Sequence, residues 1–383
     1  MGHYKNSYFL GLKKYARYFI AWTVIVFLYF FICAKYSHNQ SHINATSITD
    51  VSNSNTLQSQ SSDKQKGIHV FGGLDSSNIK PLRDNHFEWI TLVPFGDQKE
   101  HDSPFMKSHW GDSTEIIERN NRWIEKITLA RKSGFKVFIK PHIWLHEPAS
   151  GKWRSDLYPT SDKNWELWKE SYRKFIFRWA RVAEQANAEM FCVGTELTRL
   201  AIEKPEFWKE LIGEIKMMYS GKVTYAANWY EEYEKIMFWQ DLDYIGIQAY
   251  FPLTNNKTPT VEQISKGWEK HLTNIEAVFK KHHRPILFTE LGYKSTNDSA
   301  IRPWEWIDYS LEKEIPPSPE TQANCYHAFF KTVWHKEWFA GIHIWQWNTR
   351  FEEGRGLSHL DFTPQSKPAE KVIAEWFVGE GVD

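Results

Sequence analysis

The sequence is poor in cysteine and carries no excess of charge, and each shortage narrows what the chain does. Cys33, Cys192 and Cys325 are the only cysteines in 383 residues. Cys33 falls in an apolar N-terminal run, and the other two lie in contexts that predict a strand and a helix. Buried free thiols are therefore expected rather than a disulfide. The 47 basic and 47 acidic side chains cancel, so no strong field points to nucleic acid or an anionic surface as partner. No Gly-x-Ser-x-Gly elbow occurs, which argues against a serine hydrolase. No His-Glu-x-x-His is present either; the His-Glu pair in "HEPASGKW" is isolated, and no metal or other cofactor is expected. "KHH" at 281–283 reads as a solvated helix end before a strand.

What is abundant is aromatic surface: 16% of residues, with 20 Trp and 17 Tyr. A buried indole needs a partner for its N–H, so packing alone rarely calls for so many. A large aromatic core and a groove lined with flat faces for a flat ligand, such as a sugar ring, both account for the composition.

The first 66 residues differ from the rest. Lys5, Lys13, Lys14 and Arg17 precede the uncharged run Tyr18–Ala34, at the short end of the roughly 17–25 residues of a membrane helix. Basic residues before the run place the N-terminus in the cytoplasm and the remainder outside. A cleaved signal peptide is the competing reading, with a poor small-residue pattern before Lys35. Residues 35–66 are rich in Ser, Asn and Gln and read as a disordered tether; Asn44-Ala-Thr46 fits a glycosylation sequon. The expected organisation is a cytoplasmic segment 1–17, a signal anchor 18–34, a linker 35–66 and one folded domain 67–380. That places the domain at the cell surface or in the periplasm, tethered to the membrane, or secreted if the segment is removed. A monomer is expected.

From Gly67 onward, short apolar runs alternate with amphipathic segments. "GIHVFGG", "FEWITLVPF" (87–95), "FKVFIKPH" (135–142), "EMFCVG", "KVTYAAN", "LDYIGIQAY", "RPILFTE" and "FAGIHIWQW" give eight strand signals, with helical periodicity between most of them. Such alternation implies parallel strands joined by right-handed crossovers. Continuous apolar strands fit a sheet covered by helices. The count predicts a closed (β/α)8 barrel, an α/β fold of about 250 residues plus insertions. A doubly wound open sheet is the alternative, but "FGGLDSS" lacks the spacing of its phosphate loop.

In such barrels the active site lies where the strands end. The third strand ends with Lys140 and His142, the fourth with Glu196, the fifth with Asn228 and Trp229. The sixth ends with Tyr250, the seventh with Glu290 and the eighth with Trp345. Taken singly, each has a dull explanation: a lone rim histidine is more often a hydrogen-bonded residue than a catalyst. The two glutamates are harder to dismiss. Three βα units separate them at roughly 31 residues each, the repeat of an eight-unit barrel. Strand alternation aligns Glu196 with Gly194 and Cys192, and Glu290 with Phe288 and Ile286, pointing both carboxylates inward. Two carboxylates flanking a pocket are the apparatus of glycosidic bond cleavage.

The Glu pair resembles that of the clan of retaining glycoside hydrolases built on (β/α)8 barrels. "FCVGTELTRL", "ILFTELGYKS", "KPHIWL" and "TPQSKPAE" look most like glycoside hydrolase family 113, whose characterised members include endo-β-1,4-mannanases. The resemblance runs from Gly67 to Phe377. It implies an oligo- or polysaccharide substrate, with Glu196 as acid/base and Glu290 as nucleophile. Tyr250 resembles the tyrosine that orients the nucleophile and Trp345 the platform under the sugar. Asn228, His142 and Lys140 are candidates for sugar hydroxyls, and Trp144 and Trp229 for extensions of the platform. A glucanase or galactanase of the same clan, or a barrel that binds sugar without cleaving it, are the competing readings. Most of the clan carries Asn before the acid/base, where it binds the sugar 2-hydroxyl. This chain has Thr195.

Overall fold

The computed structural model describes residues 64–107, 113–308, 310, 314–351 and 358–379, all within the unit Gln60–Asp383. The expected N-terminal segment, anchor and sequon lie outside the described residues, as does the linker up to residue 63. Among the described residues, no helix is long and apolar enough to cross a membrane.

In chain order the elements are β1 (Gln65–Phe71), α1 (Ser76–Asp84), β2 (Trp89–Leu92), β3 (Phe95–Gln98), β4 (Met106–Lys107) and α2 (Ser113–Lys132). Then come β5 (Lys136–Ile139), β6 (His142–Leu145), α3 (Asp162–Gln185), β7 (Met190–Thr195), α4 (Thr198–Glu203), α5 (Pro205–Met218) and β8 (Lys222–Asn228). The chain continues with β9 (Tyr244–Gln248), α6 (Val261–His282), β10 (Ile286–Leu291), α7 (Pro319–Phe329), β11 (Phe339–Asn348) and α8 (Pro368–Val378). Strands β1, β2, β5, β7, β8, β9, β10 and β11 close into one barrel with parallel neighbours throughout. The eight-stranded expectation holds, and the open sheet is excluded by closure.

Two predicted strands are each split in two. The runs 87–95 and 135–142 break at Pro94 and Pro141, and the chain resumes as β3 and β6. Proline lacks the ladder N–H and is confined to strand ends and edges. Beyond the break, β3 pairs with β6 and with β4 in a separate three-stranded sheet beside the barrel. The folded part also starts two residues earlier than expected. Gln65 looks like tether in sequence, yet it pairs with Gly341 and its side chain accepts from His343 at 2.8 Å.

Helix ends follow ordinary capping rules. Ser161 caps α3, and a Thr260–Gln263 capping box opens α6, each satisfying N–H groups the first turn leaves bare. At its other end "KHH" closes the helix as expected, with Lys281 and His283 exposed, and one residue departs from the solvated reading. His283 adopts the left-handed C-cap conformation, and His282 is buried rather than solvated.

The aromatic residues divide between the core and the barrel mouth. Trp168, Trp208, Trp239 and Trp268 are fully buried between strands and helices. Trp168 donates to Gln98 at 3.0 Å, Trp208 to the Leu200 carbonyl at 3.1 Å and Trp239 to the Tyr233 carbonyl at 2.9 Å. Other tryptophans line the barrel mouth, described below. Cys192 in β7 and Cys325 in α7 are buried free thiols.

Candidate active site

Simple alternation does not aim the two glutamates. Inside the barrel, Trp89, Phe138, Met190, Cys192, Ala226 and Leu287 form a small cluster of their own. Ile286 and Phe288 belong instead to the layer between strands and helices, where Phe288 stacks on Trp268 at 5.8 Å. Glu290, two positions on, would point the same outward way in an ideal strand. A register irregularity between Phe288 and Glu290 reverses it. In β7 the irregularity falls between Cys192 and Thr195. A Cβ on Gly194 would meet Trp208 and Tyr225 within 2.9 Å, so that position faces the helices. Glu196 then turns back through a left-handed φ of 53°. Bulges re-aim side chains in this way, and they gather beside active sites.

Glu290 is buried and gripped. Lys140, wholly buried itself, donates to Oε1, and the Tyr250 hydroxyl donates to Oε2 at 2.8 Å. Proton positions follow from the partners. His69 Nδ1 lies 3.1 Å from the Ile344 carbonyl, which only accepts, so Nδ1 carries the proton. The bare Nε2 then accepts from the Lys140 ammonium at 3.4 Å. His142 has the reverse tautomer. Its Nδ1 accepts from Arg154 Nη1 at 3.1 Å, leaving a protonated Nε2 that is 3.6 Å from Glu290 Oε1 and without a hydrogen-bond partner. Burial, reinforced by the Lys140 charge, holds both imidazoles well below the ordinary histidine range. Burial also pushes the Lys140 ammonium down, and the Glu290 carboxylate opposes that shift.

Glu196 has a different environment. Burial raises its carboxyl above the usual range, the Glu290 charge adds to this, and Arg154 works against it. Arg154 Nε stands 3.1 Å from Glu196 Oε2. The cation favours the ionised form, so without it the proton is held to higher pH. We expect Arg154→Met to move the alkaline limb of kcat/KM upward. A pH profile with an unmoved or lowered limb contradicts this.

Glu196 and Glu290 both face a cavity of about 880 Å³, near the top of the roughly 300–1,000 Å³ range of ligand pockets. Of the residues singled out in sequence, His142, Asn228, Trp229, Tyr250 and Trp345 line it with the two glutamates. Lys140 does not: it lies beneath the carboxylate it binds, with its ammonium 6.0 Å from the Trp345 ring centre. Nor does Trp144, which stands exposed on β6 against Trp153 at 6.3 Å. Thr195 is turned into the wall, donating to the Pro141 carbonyl at 3.2 Å. Among the described residues, no group of three or more His, Cys, Asp and Glu side chains is placed to hold a metal ion.

A model of glycoside hydrolase family 113 matches residues 74–367. The chain belongs to that family. No curated protein matches it. A family 113 β-1,4-mannanase structure superposes with a TM-score of 0.70 at 26% identity, covering 82% of this chain and 99% of the other. A family 113 β-mannanase from Alicyclobacillus acidocaldarius, in complex with ManMIm, gives 0.68 at 24% identity, covering 83% and 98%. A β-glucuronidase from Ruminococcus gnavus, with D-glucuronic acid, gives 0.52 at 14% identity over 82% of this chain and 49% of the other; that likeness is one of fold alone. This family 113 member is a glycosidase.

Several residues of this family 113 site carry little signal in sequence. Arg154 opens a short 3₁₀ turn, Arg154–Asp156, after β6, and nothing about "SGKWRSD" announces that it reaches Glu196. His69 was visible as the one ionisable residue amid "GIHVF". Trp304 and Trp306, in "RPWEWID", also line the cavity. Trp304 stacks on Trp229 at 5.0 Å, and Trp306 meets Trp345 edge-on at 6.3 Å. A Trp-x-Trp after a proline in a loop following a barrel strand was the available clue.

Proposed function

We propose that this glycosidase cleaves β-1,4-linked mannan or manno-oligosaccharides with retention of configuration, Glu290 acting as nucleophile and Glu196 as acid/base. The observation that carries the assignment is the contrast between the two carboxyls. Glu290 is held in place by two donors, the Lys140 ammonium on Oε1 and the Tyr250 hydroxyl on Oε2, as a carboxylate aimed at an anomeric carbon requires. Glu196 is desolvated and raised, as a proton donor near neutral pH requires. Glu196 protonates the leaving oxygen while Glu290 forms the glycosyl-enzyme; Glu196, now ionised, then activates water.

The surrounding groups fit the same reading. Tyr250 orients the nucleophile. Trp345 presents a face to the CH side of a pyranose, and the parallel ring of His142, 6.2 Å away, offers its unpartnered Nε2–H to a hydroxyl. Asn228 adds an amide to the same cavity. With Thr195 turned away, His142, Asn228 and Arg154 supply polar contacts where most of the clan relies on Asn. Trp229, Trp304 and Trp306 extend the platform for further sugar units, which suits internal cleavage of a chain. The basic-then-apolar N-terminus supports a membrane tether with the catalytic domain outside the cytoplasm.

The test is a comparison of kcat/KM on mannan, glucan, galactan and xylan oligosaccharides with the purified protein. Mannan should be cleaved best. Equal or better turnover of glucan or galactan transfers the assignment to that substrate, and binding without turnover of any of the four defeats it.

A further inference from the structure

One carboxylate beside the cavity has no part in the chemistry above. Glu232 is wholly buried, and its two oxygens take three donors. The Tyr225 hydroxyl donates to Oε1 at 2.5 Å. The Asn228 backbone N–H at 2.7 Å and the Thr198 hydroxyl at 2.8 Å donate to Oε2. The Tyr225 oxygen in turn accepts from the Leu197 N–H at 2.8 Å. A continuous chain of hydrogen bonds thus runs from Glu232 through Tyr225 to the residue that follows Glu196.

That endpoint matters because of the backbone at Glu196. A side-chain-bearing residue at φ 53° is strained unless its surroundings over-determine the conformation. Two bonds do so here: Glu196 N–H to the Ala226 carbonyl at 2.9 Å, and Leu197 N–H to Tyr225. Thr198, the next residue, is tied to Glu232 directly. Segment 196–198 is therefore clamped to β8 and to Glu232 at each of three consecutive residues. A buried carboxylate is an expensive way to fill a wall, since apolar replacements of buried charges are often neutral or stabilising. Burial pushes this one up to about 7 in spite of its donors.

We propose that Glu232, acting through Tyr225, is a positioning residue for Glu196, fixing the strained turn that aims the acid/base carboxyl at the leaving oxygen. The proposal rests on the assignment of Glu196 as acid/base. It also gives Asn228 a fixed backbone at the cavity wall.

The test exploits leaving groups in the full-length protein. A phenyl glycoside of a manno-oligosaccharide needs protonation to depart, whereas a 2,4-dinitrophenyl glycoside does not. Tyr225→Phe removes one oxygen and keeps the ring, which packs edge-on against Trp208 at 5.1 Å. The expected result is a loss of about ten-fold or more in kcat/KM for the phenyl substrate, part of the roughly 10²–10⁴-fold that general acid catalysis contributes. For the dinitrophenyl substrate kcat/KM should stay within about two-fold. Glu232→Gln should show the same split; if that variant does not fold, Tyr225→Phe decides. Equal losses on both substrates, or no loss on either, overturn the proposal.

Glu196→Ala, measured in parallel, keeps the two assignments separable. It should show a larger split and recover kcat with added azide. If it does so while Tyr225→Phe shows no split, the relay fails and the acid/base assignment stands. If Glu196→Ala shows no split, both fall.

Discussion

Replacing Glu290 by Gln should lower kcat by about 10⁴-fold or more, the scale seen when a covalent nucleophile is deleted, while the protein still binds manno-oligosaccharide. The amide keeps the shape of the carboxyl and still accepts from Tyr250, so the cavity wall is little changed. What it lacks is the negative charge that attacks the anomeric carbon. The loss falls on the chemical step, so turnover and calorimetric binding should part company. Retained turnover removes Glu290 from its role, and lost binding would mean that the substitution deformed the cavity. The substitution also strands the Lys140 ammonium in a site with no exposure. Breaking a buried ion pair from one side typically costs about 3–5 kcal/mol, so the variant should also melt at lower temperature.

Lys140→Met is expected to be nearly as damaging, although Lys140 never reaches the cavity. Its ammonium is the cation on Glu290 and also the donor to His69. Methionine fills similar volume without charge. Glu290 is then left with one neutral donor, Tyr250, at hydrogen-bond distance, and Oε1 loses the contact that fixes the carboxylate in place. We expect kcat to fall by about 10²-fold or more, with KM for manno-oligosaccharide changed far less because no sugar contact is removed. A variant whose KM rises while kcat holds would show instead that Lys140 binds substrate.

Lys140 and Glu290 both stand at strand ends, yet only Glu290 lines the cavity, and that difference marks the limit of strand-end reasoning. The barrel was legible because its signals are periodic: apolar runs and amphipathic segments repeat along the chain, and the rim residues follow from where the runs stop. Glu196 and Glu290 were legible as rim residues at the right separation. Their inward aim was not, because it depends on bulges in β7 and β10 that leave no trace in apolar periodicity; the alternation used to justify it put Ile286 and Phe288 on the wrong face. Lys140 was found at the rim but given to the substrate, since one residue's burial depends on the whole barrel closing around it. Arg154 opens a short 3₁₀ turn and Glu232 lies in a turn after β8; neither stands in an apolar period, and their links to Glu196 and Thr198 join segments distant in the chain. Gln65 shows the converse error, a polar residue assigned to the tether because its partner, His343, lies on the last strand.

Product stereochemistry tests the central claim most directly. Early in the hydrolysis of a β-manno-oligosaccharide, before mutarotation, proton NMR reads which anomer is released first. Double displacement by Glu290 and Glu196 predicts that the new reducing end appears as the β-anomer and only later equilibrates. Initial release of the α-anomer would mean a single displacement by water, and Glu290 would not be a covalent nucleophile.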